Sequence, residues 1–278
     1  MLIYLFPVLY FTSRTKADWS YVGPHGILHW REEYPDCGKL NQSPINIPPP
    51  SDLIFDPSVK DLEFEGFNTP EVYKLELLNN GHTAIAKVFS DSIFVSGAGL
   101  SNGHVFKTEQ FHFHWAEDSN SGSEHLVTGK SYPLEAHIVS FNTKYQSLYE
   151  AVDKKDGLAV IAVFFEATEE DNYKLIPLTE ALGKITNTGE KCAIDNFAFA
   201  SLLPQNRSCF YRYTGSLTTP GCYESVTWTI FSQTIAISEQ QLNIFRSLNQ
   251  QGNRKIGFND RPVQDLHGRR VYTTCLLP

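Results

Sequence analysis

The stretch Gln110-Phe111-His112-Phe113-His114-Trp115 decides how the rest of the chain is read. Residue type alternates along it with period two, so on a β-strand His112 and His114 project from one face and both phenylalanines from the other. A second β-like run, Glu135-Ala136-His137-Ile138-Val139, can pair alongside and bring His137 to the same side. Three neutral nitrogen donors would then meet at one point. That is the arrangement of a catalytic zinc with an open fourth position, whereas structural sites close all four. A metal-bound imidazole needs its second ring nitrogen held. Gln110 and Glu135 each stand two positions before a candidate ligand, on the same strand face.

Around this stretch most of the apolar signal is short and rich in Val, Ile and Phe. Strands are expected at 83–89, 92–95, 109–115, 135–141, 158–165 and 225–231. The segment 158–165 is apolar throughout, which suits a central strand buried on both faces. Helical patterns are fewer. Ser238-Glu239-Gln240-Gln241 reads as a capping box opening a helix that runs through Leu248, and 176–185 is a second candidate. No internal repeat or long linker divides the chain, and Pro48-Pro49-Pro50 makes only a brief stiff loop. The expected fold is therefore mainly β with peripheral helices, a single domain on a large, mostly antiparallel central sheet.

A chain of 278 residues with 41% hydrophobic and 19% charged residues is long enough to bury a large core. A formal charge of -8 and the lack of any basic run argue against a nucleic-acid partner, whose phosphates are held by clustered Lys and Arg. The apolar run from Leu2 to Phe11 is too short to span a bilayer and contains Pro7. With small residues following in Thr15-Lys16-Ala17, it reads as a signal peptide over 1–17 and places the mature domain at 18–278. Export agrees with Asn206-Arg207-Ser208, an N-glycosylation acceptor in a polar loop, whereas Pro44 disfavours Asn41-Gln42-Ser43. The five cysteines include no CxxC pair, so zinc-finger and thioredoxin readings have no support. Gly99-Leu100-Ser101-Asn102-Gly103 matches the serine-hydrolase elbow literally, but the residues after it continue as strand where that motif requires a helix.

Five segments together carry a resemblance. Phe111-His112-Phe113-His114-Trp115, Gly122-Ser123-Glu124-His125, Glu135-Ala136-His137-Ile138-Val139, Gly215-Ser216-Leu217-Thr218-Thr219-Pro220 and Asn259-Asp260-Arg261-Pro262 resemble, in order and spacing, the α-class carbonic anhydrases, in particular their exported members. The similarity begins near Trp19-Ser20-Tyr21, passes through Gln42-Ser43-Pro44-Ile45 and reaches Val271-Tyr272.

The resemblance implies reversible hydration of carbon dioxide to bicarbonate and a proton by a zinc-bound hydroxide, with weak esterase activity as a side reaction. His112, His114 and His137 would hold Zn2+, with Gln110, Glu135 and Asn259 behind them. The Thr218 hydroxyl would accept a hydrogen bond from the hydroxide and donate one to Glu124, aiming a lone pair at substrate. Val139, Val160, Leu217, Val226 and Trp228 would form the apolar substrate pocket, with Thr219 at the bicarbonate exit. His82 would shuttle protons, since histidine titrates near neutrality, and Tyr21 and Asn80 would order the intervening water. Sulfonamide and anion inhibitors are expected, as is a secreted or extracellular location.

Two positions depart from the family pattern. Ile85 replaces a residue often polar in the water chain, and Ala84 replaces a bulkier apolar one. The resemblance also implies a disulfide between Cys37 and Cys222. Cys192, Cys209 and Cys275 have no partners by resemblance; Cys192 with Cys209 is the pairing guessed for them. A binding module on the same scaffold is the rival reading, opposed by the intact histidines and the intact Thr218–Glu124 pair.

Overall fold

The computed structural model describes residues 19–57, 59 and 61–275. The expected signal peptide lies outside the described residues. Among them, 13 strands join one central sheet. Seven of its strands position the site: β1 (Lys74–Asn79), β2 (Ala84–Phe89), β3 (Phe106–Trp115), β4 (Leu134–Asn142), β5 (Leu158–Thr168), β6 (Phe210–Gly215) and β7 (Val226–Phe231). Their spatial order is β1-β2-β3-β4-β5-β7-β6, flanked by Lys191–Ile194 beside β1 and by Tyr272–Thr273 and then Ile54–Phe55 beyond β6. Most neighbours are antiparallel; β5 and β7 are parallel.

β5 sits between β4 and β7 and buries every residue from Leu158 to Phe165, which is why its sequence shows no alternation. Its odd-numbered residues, Ala159, Ile161, Val163 and Phe165, join Phe111, Phe113, Ala136 and Ile138 in the larger core. Its even-numbered residues, Leu158, Val160, Ala162 and Phe164, join Val139, Phe141, Val226, Trp228 and Ile230 in a second core on the opposite face. The histidines belong to that second face.

One irregularity sets their phase. β3 and β4 pair Thr108 with Ser140 and then Gln110 with Val139, so Glu109 is an extra residue on β3, a β-bulge. Before the bulge Phe106 and Thr108 face the larger core, Thr108 Oγ1 lying 3.0 Å from Ser140 Oγ. After it that face is taken by Phe111 and Phe113.

The helices are short and peripheral. α1 (Ile176–Leu182) stops three residues before the expected limit, with Gly183 as its C-cap. α2 (Glu239–Arg246) has the expected capping box: Gln241 N donates to Ser238 Oγ at 3.0 Å, and Ser238 N donates to Gln241 Oε1 at 3.3 Å. It stops short of Leu248 because Ser247 and Leu248 make tighter bonds, to Ile244 and Phe245, three residues back.

Cys37 and Cys222 are bonded, with Cα atoms 4.9 Å apart. Cys209 pairs with Cys275, which corrects the expected Cys192–Cys209 bond. Phe210–Gly215 pairs with Tyr272–Thr273, carrying the two flanking cysteines together, while Cys192 lies on the edge strand at the opposite end of the sheet and donates to Ala181 O at 3.4 Å.

Candidate metal centre and active site

His112 and His137 stand directly opposite each other across β3 and β4, and His114 follows two residues on. The ring centroids of the three lie 4.5–5.2 Å apart. One nitrogen from each falls within 4.8 Å of the others, a spacing that fits a shared cation. The second nitrogen of each ring is held. His112 Nδ1 donates to Gln110 Oε1 at 2.8 Å, and His137 Nε2 donates to Glu135 Oε1 at 2.7 Å. His114 Nδ1 donates to the backbone carbonyl of Asn259 at 2.7 Å. Carbonyl and carboxylate oxygens only accept, so these bonds fix the tautomers and leave lone pairs on His112 Nε2, His114 Nε2 and His137 Nδ1.

Asn259 serves through its main chain, and its side chain fixes that position. Its Oδ1 accepts from Trp115 N at 2.7 Å, and its Nδ2 donates to His82 O and Phe113 O at 2.9 and 3.0 Å. The nearby His114 Nε2 is buried with no protein partner. A buried lone pair without a donor is costly, and a cation meeting it removes the cost. Burial and the neighbouring imidazoles hold all three rings below their ordinary pKa, His114 down to about 3, so they are neutral and able to ligate at neutral pH. Three neutral nitrogen donors fit zinc.

Behind His137 runs a polar chain that sequence reasoning did not assign. His125 Nδ1 donates to Glu135 Oε1 at 2.7 Å, and His125 N donates to Glu135 Oε2 at 2.8 Å. His125 Nε2 lies 2.7 Å from the Tyr213 hydroxyl, which bonds Ser43 Oγ at 2.8 Å. Burial alone would raise the Glu135 pKa, but the attraction and hydrogen bonds from the facing N–H groups of His125 and His137 outweigh it and hold the carboxyl well below its ordinary range. A charged Glu135 keeps its two imidazoles in fixed tautomers. Gly215 is required next to this chain, because a Cβ there would collide with Ser43 Oγ.

Glu124 is fully enclosed. Its Oε1 accepts from Arg261 N at 2.9 Å, while its Oε2 has no hydrogen-bond partner and lies 3.4 Å from His114 Nε2. Burial and the nearby Glu135 charge raise its pKa well above the carboxylate range, and the Arg261 amide and Thr218 hydroxyl draw it partly back. Arg261 anchors the region: its guanidinium donates to Gln42 Oε1 at 2.9 Å, Ser43 O at 2.8 Å and Cys37 O at 3.1 Å.

A cavity of about 180 Å³ opens on His112 and His137. Val139, Val160, Leu217, Thr218, Thr219 and Trp228 line it. Val226 is buried in the same core but is not part of the lining, whereas Leu148, Val152 and Leu158, not singled out from sequence, are. Another cavity, of about 390 Å³, brings together Tyr21, Asn80 and His82. The His82 ring stacks on Trp19, with centroids 3.9 Å apart and planes 10° from parallel. Ile85 is half-buried opposite His112, while Ala84 faces the larger core. Asn206 is exposed, its Oδ1 accepting from Ser208 N and Oγ.

Comparison with known proteins agrees with this geometry. The family described as eukaryotic-type carbonic anhydrase matches residues 25–275. Carbonic anhydrase 7 of Homo sapiens is 39% identical over 261 residues, covering 91% of this chain and 96% of its own. Carbonic anhydrase 15 of Mus musculus is 37% identical over 260 residues, covering 88% of this chain and 79% of its own. The chain therefore belongs to the eukaryotic-type carbonic anhydrases, enzymes that hydrate carbon dioxide.

Proposed function

We propose that this carbonic anhydrase works through a zinc ion held by His112, His114 and His137, with Thr218 and Glu124 orienting the nucleophile and His82 exporting the proton. The observation that carries this reading is the convergence of three imidazoles, each with its second nitrogen already held. Zinc, when bound, supplies a water acidic enough to act as a nucleophile near neutral pH, chemistry for which carbonic anhydrases are the standing example.

The remaining work falls to the chain's own groups. Glu135, Gln110 and the Asn259 carbonyl hold the ligand rings so that little reorganisation accompanies turnover. Thr218, 4% exposed and hydrogen-bonded to Glu124, is placed to accept a hydrogen bond from the nucleophile while it donates to the carboxyl group, which fixes the direction of attack. The wall of Val139, Val160, Leu217 and Trp228 receives a nonpolar substrate and excludes competing water. Thr219 borders the exit for bicarbonate. His82, beside Asn80 and Tyr21 at the mouth, relays the proton to buffer. The same centre would accept sulfonamide and other anions, and a reactive ester in a slow side reaction.

The signal peptide over 1–17, the catalytic domain over 18–278, secretion and glycosylation at Asn206 belong to the same reading. The disulfides Cys37–Cys222 and Cys209–Cys275 support passage through an oxidising compartment. Among the described residues no helix is long and apolar enough to cross a membrane.

The decisive experiment is metal analysis alongside stopped-flow carbon dioxide hydration. One zinc per chain, with activity lost to chelator and restored by zinc, is the expected result. Full activity without metal would overturn the reading.

A further inference from the structure

A third cavity, of about 910 Å³, lies at the β6 end of the sheet. Arg212, Tyr213 and Thr214 of β6 all line it, and none of the three ligand histidines does. Lys155, Arg269 and Arg270 also line it, against the carboxylates of Asp56 and Asp156. The chain as a whole carries a formal charge of -8, so this local excess of cations runs against the molecule's sign.

Arg212 is the unusual member. It is only 8% exposed. Its Nε donates to Thr229 Oγ1 and its Nη1 to Ala98 O, both at 3.0 Å, and both acceptors are neutral. Its Nη2 is buried with no partner. Burial pushes its pKa down to about 10 and no carboxylate draws it back, so it stays charged at neutral pH without a counter-charge. Arg261, also buried, differs in that Glu124 offsets its burial. A guanidinium taken from water with neutral partners only is costly to keep, and an oxyanion is the group its planar donors fit best.

Asp156 and Arg269 are already engaged by other groups. Asp156 is held by Lys144 and by the Tyr145 hydroxyl at 2.9 Å. Arg269 directs its donors to the carbonyls of Leu266, Thr214, Gln42 and Asp265. Lys155 and Arg270 are exposed at the cavity and add positive potential there. We propose that this cavity binds an anion of the phosphate or sulfate type, contacted by the exposed Lys155 and Arg270 and drawn in by the uncompensated charge of Arg212 buried behind them. Its volume leaves room for an organic body attached to that group.

The test is calorimetric titration of the zinc-loaded, full-length enzyme with inorganic phosphate, inorganic sulfate and phenyl phosphate at constant ionic strength. Saturable binding is expected, weakened at least about tenfold by the double substitution Lys155→Gln with Arg270→Gln. That variant should keep native carbon dioxide hydration. Arg212→Met should abolish binding; if it does not fold, the exposed pair still decides. Tighter binding of phenyl phosphate assigns the site to an ester, and equal binding assigns it to the free ion. No saturable binding up to about 50 mM, or equal binding by native and double-variant protein, would overturn the proposal.

Discussion

Glu135 Oε1 lies 2.7 Å from His137 Nε2, and the two residues stand on the same strand face, two positions apart. The carboxylate can only accept, so it holds the proton on Nε2 and frees Nδ1. Glu135→Gln keeps the shape and removes the charge. Zinc affinity, measured by chelator competition, should fall about 10- to 100-fold while the fold persists. An unchanged affinity would mean that the bond is merely structural.

His137→Ala removes a ligand outright. The purified protein should lose stoichiometric zinc and carbon dioxide hydration together, and near-normal turnover would count against the mechanism.

His82 lines a different cavity from the one that opens on His112 and His137. His82→Ala should lower kcat about tenfold or more in weak buffer and leave kcat/KM near its native value. Added imidazole should restore part of the loss. Failure of that rescue would move proton export to another group.

The metal-free protein should lose stability as pH falls below the ordinary histidine pKa. In the unfolded chain His114 takes up a proton near pH 6.5, while in the fold it resists until about 3. The unfolded state therefore binds more protons in this window, and stability present above it is lost on acidification. Each such histidine contributes about 1.4 kcal/mol per pH unit. Urea unfolding between pH 7.5 and 5 should show a shallower slope for His114→Gln than for the native chain; identical slopes would refute the assignment.

The Cys37–Cys222 bond closes a loop with a sequence separation of 185 and ends three residues after Thr219. On the loop-entropy account its removal costs roughly 5 kcal/mol. Cys37→Ser with Cys222→Ser should lower the urea midpoint and also kcat, because the Thr218 segment loses its brace. A stability loss with unchanged kcat would separate the two roles.

Much of the site was legible because its ligands and their orienting groups are close in sequence, in Gln110–His114 and Glu135–His137. Where contacts come from distant segments, no local pattern announces them. His125 and Tyr213 are 88 residues apart, and nothing near either one signals their 2.7 Å contact. The role of Asn259 was legible as a position but not as an atom, since the acceptor is its main-chain carbonyl. The strands Lys74–Asn79 and Phe210–Gly215 escaped notice for a related reason. Charged residues interrupt both, and in the second Arg212 is buried where an apolar side chain would be expected. The Cys209–Cys275 bond follows from the pairing of Phe210–Gly215 with Tyr272–Thr273, so missing the strand also hid the disulfide.

Glu109 looks dispensable, a half-buried surface residue at a kink. Yet it works as a spacer that shifts the reading phase of its strand by one. Were it to take a regular place in the ladder opposite Val139, with the upstream pairing kept, the phenylalanines would turn toward the substrate while the imidazoles turned into oil. The chemistry of this enzyme is thus encoded partly in a count, the parity of residues between Thr108 and His112, which no substitution at the histidines themselves would reveal.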